Sequence, residues 1–168
     1  MRFKLFIIFG FMLNAIPAAA QFGFGGDGVI DVVAEEATYK GGVTVLKGDV
    51  VVKQGDSTIA SDKMTIYRVE NANSRTALSL GEITRIVAEG KFIYDSPENK
   101  VTGDRGFYSR EKNQLDIFGN VVLKQQSGNL VRSDSLFYDL KAKRARFNNE
   151  CKGSECGRIN FKLNNKNQ

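Results

Sequence analysis

The sequence predicts an all-β fold, an antiparallel sheet assembled from repeated strand units with one apolar face. Apolar and polar residues alternate with a period of two along most of the chain, and no long stretch has helical period. Two short patterns also recur in turn, at a spacing of roughly 30 residues. Composition agrees, since 12 Phe, 5 Tyr and only 2 Pro favour strands. At 168 residues, 42% hydrophobic and 26% charged, the chain has material for one domain with a true core.

Arg2 and Lys4 begin the chain, and an apolar run from Leu5 to Ile16 follows. Pro17 breaks it before Ala18-Ala19-Ala20. This reads as a secretory signal over residues 1–20, cleaved after Ala20. The run is shorter than the roughly 20 apolar residues that span a bilayer. Residues 21–28 read as a flexible Gly-rich leader. Gly23 to Gly28 satisfies G-x-G-x-x-G, yet a dinucleotide site needs a strand before it and a helix after it. Here the β-like run Val29 to Val33 follows. The folded domain is expected over 29–164, with Asn165 to Gln168 a frayed tail.

The first recurring pattern is a carboxylate followed by an aromatic: Glu35 with Tyr39, Asp104 with Tyr108, Asp134 with Tyr138, and a slipped copy, Asp62 with Tyr67. The second is a Gly inside a strand run, at Gly48, Gly90 and Gly119. The longest match pairs Gly48-Asp49-Val50-Val51-Val52-Lys53-Gln54 with Gly119-Asn120-Val121-Val122-Leu123-Lys124-Gln125. Stacked supersecondary units sharing one continuous core repeat in this way. The polar insertion Glu70 to Arg75 reads as a hairpin loop in the second unit.

Parity assigns the buried face. Leu46, Val50 and Val52 fall on one side of their strand, as do Ile86, Ala88, Phe92 and Tyr94, and Ile117, Val121 and Leu123. Their alternates are mixed, as in an antiparallel sheet with one face turned inward. Met64 and Ile66 share the parity of Asp62, and Leu136 and Tyr138 that of Asp134. The strand glycines then sit on the inner face, where a missing side chain permits a bend or a close approach. A last strand is expected over Ile159 to Leu163.

Several chemistries are excluded. The chain has no His, which removes His-based acid–base catalysis and His-containing zinc sites. Asp62, Asp104 and Asp134 recur at matching places in the repeats, which points to structure rather than catalysis. No enzyme activity, metal or cofactor is expected. The net charge of +5 suits an anionic partner, but no basic cluster is dense enough for a dedicated anion site or for nucleic acid. Cys151 and Cys156 can close a small loop in an oxidising compartment or remain free thiols.

The order of these pieces, from Ile30 to Phe147, resembles the OstA-like (LptA) family of lipopolysaccharide-transport proteins. The resemblance rests on Ala34-Glu35-Glu36-Ala37-Thr38-Tyr39, Gly48-Asp49-Val50, Ala60-Ser61-Asp62, Ala88-Glu89-Gly90, Gly103-Asp104 with Tyr108, and Gly119-Asn120-Val121. The cysteine loop lies outside it.

The resemblance implies an elongated antiparallel β-jellyroll, open along one side, that shields lipopolysaccharide acyl chains in the periplasm. It also implies head-to-tail pairing of terminal strands and partners of the same fold at the inner and outer membranes. Shared parity then nominates Leu46, Val50, Val52, Met64, Ile66, Phe92, Tyr94, Val121, Leu123 and Leu136 as the acyl-contacting set, with Ile30 and Val32 at the N-terminal opening. The alternative is a self-assembling β-solenoid scaffold without lipid transport.

Overall fold

The computed structural model describes residues 30–69, 83–152 and 154–164. The expected signal, the leader, the polar insertion and the tail lie outside the described residues.

Six long strands form the body: β3 (Val43–Gln54), β4 (Ser57–Arg68), β5 (Ile83–Asp95), β6 (Asn99–Ser109), β7 (Gln114–Gln125) and β8 (Leu130–Asp139). Each pairs antiparallel with the next. Short strands cover the two ends. β1 (Ile30–Val33) and β2 (Glu36–Lys40) share β3, one along each half of it. β9 (Arg144–Asn148) and β12 (Asn160–Lys162) share β8 in the same manner. Between them, β10 (Cys151–Lys152) and β11 (Glu155–Cys156) form a separate hairpin closed by the Cys151–Cys156 disulfide. Of the two states open for these cysteines, the bonded one is present. The last strand lies where the alternation put it; β9 was not foreseen.

Every long strand is interrupted near its middle. The ladder slips between Lys47 and Val50, between Glu89 and Phe92, and between Phe118 and Val121. At each slip two successive residues are left-handed: Gly48 and Asp49, Gly90 and Lys91, Gly119 and Asn120. The recurring glycines therefore mark a row of β-bulges that bends the whole sheet. Their missing side chains make room for carboxylates rather than for an approaching strand, since a Cβ at Gly48, Gly90 or Gly119 would overlap Glu35, Asp62 or Asp104.

The bend folds the sheet over, so that its two halves enclose one core. Phe147 of β9 and Phe161 of β12, from opposite halves, meet edge to face at 6.1 Å. Inside the bend the halves approach closely. A Cβ on Gly106 would lie 2.5 Å from the Phe92 ring. The sheet does not close, because β1 and β2 at one end pair with neither β9 nor β12 at the other. This is an all-β, antiparallel jellyroll, open along one side. Its consecutive strands are antiparallel neighbours in one sheet, which replaces the solenoid alternative and its parallel coils.

Bulges also change which residues point inward. On β3, β5 and β7 the burial parity runs unbroken: Leu46 to Val50, Ala88 to Phe92, Ile117 to Val121. On the intervening strands it reverses at the carboxylate. β4 buries Ile59 and Ser61 before Asp62, then Met64 and Ile66 after it. β6 and β8 behave alike, burying Val101 before their carboxylate and Gly106 after, and Val131 before and Leu136 after.

The outer face is mixed, as expected. Phe107, Phe118 and Phe137 stand half-buried there in an edge-to-face row at 5.7 and 5.5 Å. Arg105 lies over the Phe118 ring and Arg146 over Phe137.

Candidate functional site

The inner face is continuous across all the long strands. Leu46, Val50, Val52, Met64, Ile66, Phe92, Tyr94, Val121, Leu123 and Leu136 share one core, each 8% exposed or less. Ile30 packs half-buried against it. Val32 pairs with Val52 and so extends the same face to the edge, where it is 45% exposed. Parity reading missed Ile59, Val101 and Val131, which are equally buried. The signal for them was present in the sequence, since each recurs a few residues before a carboxylate.

Apolar exposure gathers at the two ends of this face. Val32 and Tyr39 stand exposed on β1 and β2, and Phe161 on β12, whereas Val33, opposite Val51, is exposed on the other face. Phe161 pairs with Val131 and Tyr39 with Thr44, so the inner face reaches water at both split edges. These strands carry few charges and no Pro, the usual deterrents to strand addition.

Where the halves come together, the interior is polar at points. The Tyr94 hydroxyl lies 3.5 Å from Ser57 Oγ. Burial, with Tyr94, Asp139 and Glu98 adding to it, pushes the Tyr138 hydroxyl above the ordinary tyrosine value. Glu98 and Tyr94 belong to the half opposite Tyr138, so this group senses the closure of the fold.

The recurring carboxylates stand apart, one per strand, each with a structural partner. Asp62 accepts from Lys91 Nζ at 3.1 Å, which holds that ammonium above its ordinary value. Asp104 accepts from Asn120 Nδ2 at 3.2 Å, and Asp134 from the Glu150 N–H at 2.8 Å. For Asp62 and Asp104 the donor is the residue just after the bulge glycine; for Asp134 it is the backbone just beyond β9. Among the described residues no cluster of three or more carboxylates or thiols could hold a metal ion.

A family model described as "LptA/(LptD N-terminal domain) LPS transport protein" matches residues 30–144. The chain belongs to this family. It is a family of lipopolysaccharide transport, not of enzymes, and the matched span runs from the first residue of β1 to the first residue of β9. The disulfide hairpin and β12 lie beyond it. Among solved structures, the chain resembles LptH from Pseudomonas aeruginosa, described as the LptA-homologous periplasmic component of the conserved lipopolysaccharide transport device. The TM-score is 0.63 at 21% identity, covering 82% of this chain and 96% of that one. This likeness is one of fold. No curated protein matches the sequence.

Proposed function

We propose that this member of the family is a periplasmic bridge protein. It shields lipopolysaccharide acyl chains along its inner face and carries them from the inner toward the outer membrane. The observation that carries this reading is the unbroken apolar inner face, from Val32 and Tyr39 at one edge, through the core, to Phe161 at the other. Acyl chains gain in proportion to the apolar area removed from water, and this face offers Val, Ile, Leu, Phe and Met throughout. Its side chains already pack on one another, so lipid enters by parting the two halves along the open side. The bend, where the ladders slip, supplies the hinge line, and among the described residues no ladder joins the halves on the side opposite it.

Strand addition supports the bridge. The two ends differ, with Val32, Val33 and Tyr39 exposed on β1 and β2, and Phe161 exposed on β12 beside the arginines of β9, so one copy's end can extend the next. Related domains on the membrane partners can add in the same way. Lipid phosphates stay out of the apolar interior, where burial without donors would cost several kcal/mol.

Photo-crosslinkers test the face directly. Placed at Ile66 or Phe92 they capture lipopolysaccharide, whereas at Lys53 or Lys124 they do not. Equal capture from both sets overturns the reading.

A further inference from the structure

β8 changes partner half-way along its length. β12 pairs with Leu130 to Arg132 and β9 with Ser135 to Asp139, so Ser133 and Asp134 face the gap between them. The same switch occurs on β3, but there Ala34 and Glu35 suffice, and the Glu35 N–H donates to the carbonyls of Lys47 and Gly48. At β8 the connection takes residues 149–159, a detour that the matched family span does not include.

The detour leaves a cavity of about 350 Å³ beside β8. That lies within the range of about 300–1,000 Å³ usual for small-ligand sites. Two guanidinium groups, Arg132 and Arg158, line it, with the amides of Asn120, Asn149 and Asn160 and one carboxylate, Asp134. Among the described residues neither arginine has a carboxylate within ion-pair distance. The carboxylate is already committed, accepting the Glu150 N–H at 2.8 Å. The Asn149 Oδ1 is committed as well, accepting the Asp134 N–H at 2.8 Å. Asn120 Nδ2 is committed too, donating to Asp104 at 3.2 Å. Asp134 keeps its negative charge, but the two guanidinium groups outnumber it, so the wall offers an excess of positive charge and the donors of Arg132, Arg158, Asn149 and Asn160.

The connection is built to hold those donors in place. The disulfide ties Cys151 to Cys156, and the Gly157 N–H reaches the Glu150 carbonyl at 3.3 Å. Gly157 packs so closely that a Cβ there would lie 3.1 Å from Asn149 Cβ. Asn149 and Arg158, on the two flanks of the hairpin, are thereby brought to one wall.

We infer that this cavity is a binding site for a phosphate monoester, gripped by Arg132 and Arg158 and oriented by the Asn149 and Asn160 amides. Guanidinium forks match phosphate oxygens two at a time, and a phosphate answers the excess of guanidinium over carboxylate in this wall. A phosphorylated glycolipid headgroup and free phosphate share this chemistry. The phosphate site stands on its own geometry, while its assignment to a glycolipid headgroup rests on the proposed lipid-shielding function.

The test titrates the full chain with inorganic phosphate and glucose 1-phosphate, and separately with lipopolysaccharide before and after enzymatic dephosphorylation. Arg132→Gln and Arg158→Gln each weaken the soluble phosphates about tenfold, the scale of a lost charge-assisted hydrogen bond. The Cys151→Ser, Cys156→Ser double variant weakens them too, and Lys53→Gln leaves them unchanged. If the source is the headgroup, dephosphorylation costs the wild type a similar factor and costs Arg158→Gln nothing. If it is free phosphate, the soluble ligands still depend on the arginines and dephosphorylation changes nothing. A protein whose wild type and arginine variants bind soluble phosphates equally overturns the site. Failure of crosslinking at Phe92 with phosphate binding intact overturns the groove instead.

Discussion

The Asp104 carboxylate of β6 occupies the space that a side chain on Gly119 of β7 would need, and Asn120, the next residue, donates to that carboxylate at 3.2 Å. Carboxylate and glycine, two separate recurring patterns along the chain, are thus two halves of one device. A left-handed glycine turns the strand, and a carboxylate on the neighbouring strand fills and hydrogen-bonds the gap. Asp62 with Gly90 and Lys91 repeats it, and Glu35, between β1 and β2, fills the corresponding space at Gly48. Repetition across the sheet turns local bulges into a single fold line.

Gly119→Ala therefore meets two penalties, a left-handed backbone at φ 77° and overlap with Asp104. The loss is about 2 kcal/mol or more by urea unfolding. In an Asp104→Gly background the overlap, which includes the Asp104 Cβ at 2.8 Å, disappears and only the backbone penalty remains, so the cost of Gly119→Ala shrinks. An unchanged cost in the double variant would show that the two residues do not share this gap.

Much of the fold was legible because strands announce themselves by period two, and the unbroken parity of β3, β5 and β7 carried the inner face correctly. The reading failed at Ile59, Val101 and Val131 for a definite reason. A bulge that places two residues opposite one preserves parity on its own strand and reverses it on the neighbour. Without knowing which glycines were left-handed, the alternation around Asp62 could not be split. Arg132 and Arg158 stayed separate for another reason, since they are distant in sequence and meet only where β8 changes partner.

Val101 gives this correction a functional consequence. It is fully buried on the inner face, level with Tyr94 and Leu123 in the ladder. A photo-crosslinker at Val101 captures lipopolysaccharide as well as one at Phe92, although continuous parity from Gly106 would turn it outward. Silence at Val101 with capture at Phe92 would confine lipid to one part of the face.

Tyr138 makes closure of the fold pH-dependent. Burial raises its folded-state value above the unfolded one, with Tyr94, Asp139 and Glu98 reinforcing the shift. The neutral hydroxyl is the form the fold prefers, so its contribution is fully present below about pH 10, the unfolded tyrosine value, and is lost as pH rises through the folded value. Urea midpoints of the wild type fall across this alkaline window, and those of Tyr138→Phe fall less. Parallel declines would place the sensitivity elsewhere.

Assembly follows from the edges. β1 is apolar apart from Asp31, and β12 carries one charge, Lys162. Val33 and Phe161 are 65% and 56% exposed on them, and among the described residues neither strand has a hydrogen-bonded neighbour on its outer side. Free N–H and C=O groups on such edges can be satisfied by another copy. In the proposed bridge the N-terminal edge of one copy meets the C-terminal edge of the next, a heterologous contact that does not close, so mass is expected to grow with concentration. Phe161→Pro removes a backbone donor from β12, which adds to the sheet only at the end of β8, and it is expected to shorten the assemblies at any given concentration. Light scattering across a concentration series reads this directly. A single dimer mass at every concentration, indifferent to Phe161→Pro, would mean that the copies pair face to face rather than end to end, and the bridge would have to be built another way.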